Sequence, residues 1–211
     1  MMLAVIDHLV YACPNLEEAV DDIAARTGVR AAGGGQHPGL GTRNALLSLG
    51  PRCYLELLGP DPAQPPPAEP RPFGLDNLRG PALRGWAVAP ASMKSAIHTA
   101  RAAGTDLGEQ IAGLRNGPDG TPISWQMTSP SEFEGMAIAP FLIDWEDSPH
   151  PAAQSPRGLL LADFVICMPD PDRIIALLDA LGLTIRVQHA QAPGFRAAIR
   201  NPAGQDLVLT S

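Results

Sequence analysis

The sequence predicts an α+β fold in which a βαβββ unit is repeated, its strands forming a cupped mixed sheet with the helices on the outer face. Three observations predict it. A strand-like apolar run ending in proline, then a helix-like stretch, then a closing glycine, occurs three times. The copies run through Val5–Cys13 to Pro14 and Gly28, through Trp86–Ala89 to Pro90 and Gly104, and through Ala162–Met168 to Pro169 and Gly182. The proline-to-glycine spacings are 14, 14 and 13 positions, a regularity that marks copies of one supersecondary unit. The 23 prolines and 21 glycines punctuate the chain as many short strands joined by turns would.

The elements follow in order. Residues 3–13 alternate and are rich in β-formers, so they read as a strand. Asn15 with Glu18 three residues on has capping-box spacing. Leu16, Ala19, Val20 and Ile23 give a helical face, closed by Gly28. A strand near 28–32 leads into the glycine-rich run GGGQHPGLGTRN. Two further strands, 45–49 and 53–58, flank a Gly50-Pro51 turn and complete a unit over residues 1–60. The proline-rich stretch 59–72 reads as an extended, exposed linker, and Phe73–Leu78 as one short helical turn. The second unit, 73–146, has a strand at 82–89, a helix at 92–103 and strands near 106–114, 121–128 and 135–144. Asn116–Gly120 reads as the hairpin turn between two of them. After a second linker, 146–157, the third and shorter unit spans 157–211. Its helix starts with Asp170 as N-cap and Pro171 at the first helical position. Strands near 183–189, 194–200 and 205–210 finish the chain. This third unit is expected to pack beside the others or to complete a homodimer, because a lone small sheet exposes its edges.

Composition narrows the function. A chain of 211 residues with 45% apolar content can bury a full core. A net charge of -7 argues against nucleic acid, which requires a positive surface. No apolar run reaches about 18 residues, so no membrane span is expected, and the N-terminus lacks the pattern of a signal peptide. Cys13, Cys53 and Cys167 lie in strand-like runs without CxxC spacing. They read as buried free thiols of a cytoplasmic protein, not as nucleophiles. There is no Gly-x-Ser-x-Gly elbow and no dinucleotide fingerprint.

Strand side chains alternate between faces, and on that basis His8 and Glu56 are candidates for the inner face of the cup. Glu56 there could act as a general base, its pKa raised by apolar surroundings. The glycine-rich run reads either as a loop over the cup or as a glycine-dense strand connection; as a loop it brings His37 for catalysis and Arg43 and Asn44 for substrate binding. Trp86, Trp125 and Trp145 are the only tryptophans, and they read either as a ligand-facing wall or as core.

These segments together resemble the vicinal-oxygen-chelate superfamily, which includes glyoxalase I, extradiol dioxygenases, methylmalonyl-CoA epimerase and antibiotic-resistance proteins. The stretches GGGQHPGLGTRNALLSLG, YLELLGPDP, PDGTPISW and PFLIDW followed by His150-Pro151 resemble the glyoxalase-like domain family over about residues 3–151. In metal-dependent relatives a first-strand His and a fourth-strand Glu help to bind a divalent ion. His8 in IDHLVYA and Glu56 in CYLELL match those positions. The resemblance thus implies zinc, nickel, iron or manganese at His8 and Glu56. The second unit departs from that pattern. It offers Arg84 in register with His8, and apolar residues up to Asp144 where a second Glu is wanted. A metal site needs at least three protein ligands, so His37, Asp144, His150 or water would have to complete it.

Two readings of function remain. One is a metal-dependent lyase, isomerase or oxygenase acting on a small oxygen-bearing molecule. The other is a metal-free protein that binds or sequesters a small molecule.

Overall fold

The computed structural model describes residues 4–116, 122–129 and 136–211. The 117–120 portion of the expected hairpin turn lies outside them. The first unit contains β1 (Val5–Ala12), α1 (Leu16–Thr27), β2 (Ala32–His37), β3 (Thr42–Gly50) and β4 (Cys53–Pro60). The second contains β5 (Ala82–Ala89), α2 (Met93–Ala102), β6 (Gln110–Asn116), β7 (Pro122–Thr128) and β8 (Phe141–Asp144). A four-residue helix follows, α3 (Pro151–Gln154). The third unit contains β9 (Leu160–Met168), α4 (Asp172–Leu181), β10 (Arg186–His189), β11 (Gly194–Arg200) and β12 (Asp206–Thr210).

The first two units form one eight-stranded sheet in the order β2-β3-β4-β1-β5-β8-β7-β6. Each first strand lies parallel to its unit's fourth strand. The units join where β1 runs antiparallel to β5. The sheet curls until its ends meet: the Arg115 guanidinium on β6 donates to the Gly34 carbonyl on β2. The cup expected from the sequence is therefore almost a closed barrel.

The α1 boundaries follow from local chemistry. The Asn15 side chain accepts from the Glu18 N–H at 3.4 Å, and Gly28 ends the helix with φ 77°, a conformation glycine adopts without strain. Elsewhere the reading shifts. The glycine-rich run is a β2–β3 hairpin and not a loop over the cup, and its first glycines are strand residues. A bulge between Gly33 and Gly35 sets their pairing. Gly34 is required there, because a Cβ would overlap the Asn44 amide. The proline-rich linker is not simply exposed. Asp61 is buried and accepts from Gln36 and Gln64. The chain then turns through a 3-10 segment, Pro72–Asn77, in which Phe73 takes φ 61°. Phe73 fits because β5 carries Gly85 opposite it; a Cβ there would lie 2.6 Å from the ring. Pro171, not Asp170, caps α4, without a side-chain bond.

The third unit keeps the order of elements but pairs them differently. Its sheet runs β10-β9-β11-β12, with β10 parallel to β9. It packs beside the first two units, joining α1, α2 and α4 in one core on the outer face of the large sheet. Trp86 is the contact point. Fully buried, it sits 5.5 Å from the Phe164 ring and donates to the Ile138 carbonyl at 2.9 Å. It faces the core and not the cup, because it alternates with Ala87, whose side chain belongs to the inner cluster. No helix among the described residues is long and apolar enough to cross a membrane.

Trp86→Ala is expected to destabilise the fold by about 3–5 kcal/mol in chemical denaturation. A loss below ~1 kcal/mol would contradict a core role.

Candidate functional site

The curled sheet encloses a cavity of about 220 Å³. Its wall is largely apolar and aromatic, including Phe73, Trp125, Phe141 and Trp145; its polar end is made by His8, His37, Asn44 and Glu56.

β1 supplies the first polar group through an irregularity. Ile6 pairs with Val88 and His8 with Ala87, so Asp7 is one residue too many. Such a bulge lets neighbouring side chains share a face. Asp7 and His8 both turn inward, and Asp7 Oδ1 accepts from His8 Nδ1 at 2.7 Å. The other Asp7 oxygen accepts from Trp145 Nε1 at 3.1 Å and from His150 Nε2 at 3.0 Å. The Nδ1 of His150 accepts from the Ala152 N–H, which leaves its proton on Nε2. Burial works to raise the Asp7 pKa. The hydrogen bonds from His150 and His8 outweigh it and hold the carboxyl at about 2.

With Nδ1 committed to Asp7, His8 Nε2 faces Glu56 Oε2 at 3.8 Å. Tyr54 stacks on the His8 ring, centroids 4.5 Å apart. Glu56 Oε1 accepts from Asn44 Nδ2 at 2.6 Å and lies 3.9 Å from His37 Nε2. Asn44 Nδ2 is also 3.3 Å from that nitrogen, and His37 Nδ1 meets the Thr42 hydroxyl at 2.9 Å. Burial holds the His37 pKa below its ordinary value although Glu56 pulls it upward. The Asn44 amide oxygen is buried without a partner among the described residues.

Of the residues singled out from the sequence, His8, His37, Asn44, Glu56, Trp125 and Trp145 line the cavity together. Two do not. Trp86 is in the core, and Arg43 turns outward to pair with Glu17 on α1. Asp144 is exposed, Arg84 donates to the Phe73 carbonyl, and Asp163 pairs with Arg186 and Arg196 on the third sheet. No group of three His, Cys, Asp or Glu side chains among the described residues is gathered as a metal cluster. Sequence reasoning missed Asp7 because strict alternation sends it outward. It missed Arg115 because β6 carries no pattern that separates an inward arginine from an outward one.

A family model described as "Glyoxalase-like domain" matches residues 6–182. The chain belongs to the glyoxalase-like domain family. Among solved structures, a hypothetical protein from Staphylococcus aureus shares the fold with a TM-score of 0.67 at 12% identity, covering 90% of this chain and 88% of that one. Methylmalonyl-CoA epimerase from Mycobacterium tuberculosis aligns with TM-score 0.43 at 20% identity, over 70% of this chain and 91% of that one. A variant of the Streptomyces coelicolor methylmalonyl-CoA epimerase, in complex with 2-nitronate-propionyl-CoA, gives 0.45 and 22%, over 70% and 98%. No curated protein matches the sequence.

A carboxyl with a lowered folded pKa contributes stability above its unfolded pKa and loses it as pH falls through the folded value. For Asp7 that loss falls between pH 3.8 and about 2. It amounts to about 2 kcal/mol. Urea titrations at successive pH values should show this fall, and Asp7→Asn should flatten that part of the profile.

Proposed function

We propose that the protein is a glyoxalase-like enzyme that moves a proton at a carbon bearing or adjoining oxygen in a small, largely apolar molecule, an isomerase or lyase type of reaction. The observation that carries this reading is the Glu56 carboxylate, which is 9% exposed at the polar end of an apolar cavity and flanked by two imidazoles. Glu56 takes the proton, with the Asn44 amide holding the carboxylate toward the cavity. His8, its Nδ1–H anchored on ionised Asp7, accepts that proton at Nε2, and Asp7 balances the resulting charge. The aromatic wall excludes water and grips the apolar part of the substrate.

His8 and Glu56, the pair the resemblance implies for a divalent ion, lie 3.8 Å apart and His37 Nε2 lies 3.9 Å from the same carboxylate, although no three such side chains among the described residues are gathered as a metal cluster. His8 and Glu56 would hold such an ion, with His37 the nearest further imidazole, and His8 Nε2 would then ligate it instead of accepting the proton from Glu56. An ion bound there supplies Lewis-acid polarisation of the substrate's oxygens. The Asp7 bond to His8 is the kind of outer contact that fixes a ligating imidazole.

One observation favours the second reading, a metal-free binding protein. The described cavity-lining residues of β8, Phe141 and Ile143, are apolar. The two readings part on turnover.

Proton exchange decides between them. Small hydroxy- and oxo-compounds incubated with the protein in D₂O should gain deuterium at the carbon next to oxygen. Glu56→Gln should slow that exchange by about 10²–10⁴-fold and keep the melting temperature. Exchange that is absent across the series, or unchanged in the variant, would refute the enzymatic reading. Equilibrium dialysis of chelator-treated protein against zinc, nickel, iron or manganese should show about one ion bound per chain. His8→Ala should weaken that binding at least about tenfold.

A further inference from the structure

We infer that the cavity contains an anion-binding subsite at Arg115, and that its ligands are small 2-hydroxy or 2-oxo carboxylic acids with an apolar side chain. This rests on the reading of Glu56 as the base and adds the substrate class. Arg115 lies on β6, lines the cavity and is 5% exposed. Its hydrogen bond to the described residues goes to a neutral acceptor, the Gly34 carbonyl. No carboxylate among the described residues lies within ion-pair distance of it. A guanidinium carries five N–H donors, and burying its charge against one carbonyl is costly. Desolvation accordingly lowers its pKa, while the Glu56 charge acts in the other direction without contact.

Among its described lining residues the cavity therefore holds one fixed cation and one carboxylate, each engaged by a neutral group and not by the other. Glu56 is held by Asn44, and Arg115 by Gly34. A ligand carboxylate would give Arg115 the charged partner that the described residues do not supply, in the planar pairing that guanidinium favours. The carbon that carries the acidic proton, C2 of a hydroxy acid or C3 of an oxo acid, would then face Glu56. The ligand's side chain would lie against Trp125, Phe141 and Trp145. The apolar character of that wall is what selects an apolar side chain over a second charged group.

Because Trp125 and Trp145 line the cavity, their fluorescence reports binding. The wild-type protein is titrated with 3-phenyllactate and with its uncharged amide. The acid should bind at least about tenfold more tightly, the scale of one charge-assisted hydrogen bond. Arg115→Gln should bring the acid down to the amide's affinity and leave the amide unchanged; Arg115→Lys should keep part of the preference. Equal binding of acid and amide by the wild type, or binding of neither, overturns the subsite, as does a preference that survives Arg115→Gln. The wild-type comparison stands even if the variant unfolds. Loss of the preference with Glu56-dependent exchange intact would remove the subsite alone. A preference that persists with no exchange would instead remove the catalytic reading.

Discussion

The Asp7 carboxylate is the constraint from which the site is built. It is fully buried and ionised, which is tolerable only because three ring N–H groups satisfy it. Those donors come from β1 itself, from Trp145 at the end of β8, and from His150 just before α3. One carboxylate thus ties the first strand of the first unit to the last segment of the second. It also decides which His8 nitrogen faces the cavity. Without the bulge at Asp7, this group would sit on the other side of the sheet and the histidine would have no anchor.

The outer face of the sheet depends on a different device. Curling the large sheet leaves a broad apolar surface between α1 and α2 that two helices do not cover. The third unit covers it, and Trp86 projects from β5 to meet Phe164 there. Its changed strand order suits that task. The unit carries no counterpart of the polar cluster, since Asp163 is engaged by two arginines of its own sheet.

Much of this was legible in the sequence, and the limits have physical causes. The ends of α1 were readable because Asn15 and Gly28 act as local signals without tertiary help. His8 and Glu56 were found by alternation, which holds where strands are regular. Alternation failed at Asp7, where an extra residue resets the parity, and a bulge leaves no mark in composition. His37 and Asn44 were left between a loop and a strand connection because glycines alone do not tell the two apart. Here they are strand residues, and Gly34 is present to clear a neighbour's amide. Arg43 was misplaced, and Trp86 left open between wall and core, for one reason: on a sheet buried on both sides, residue type does not say which face it serves. Arg115 acquires meaning only when β6 curls round to meet β2, a contact spanning 81 positions.

The two halves of the cup contribute unequally. Every titratable cavity group named above except Arg115 comes from the first half, while the second supplies mostly hydrophobic bulk. Reactivity and shape selection are thereby housed in separate stretches of chain. Replacing Trp125 or Ile143 with smaller or larger residues should retune which molecules are accepted while leaving the reacting groups in position. That division makes the scaffold suited to being re-addressed one half at a time.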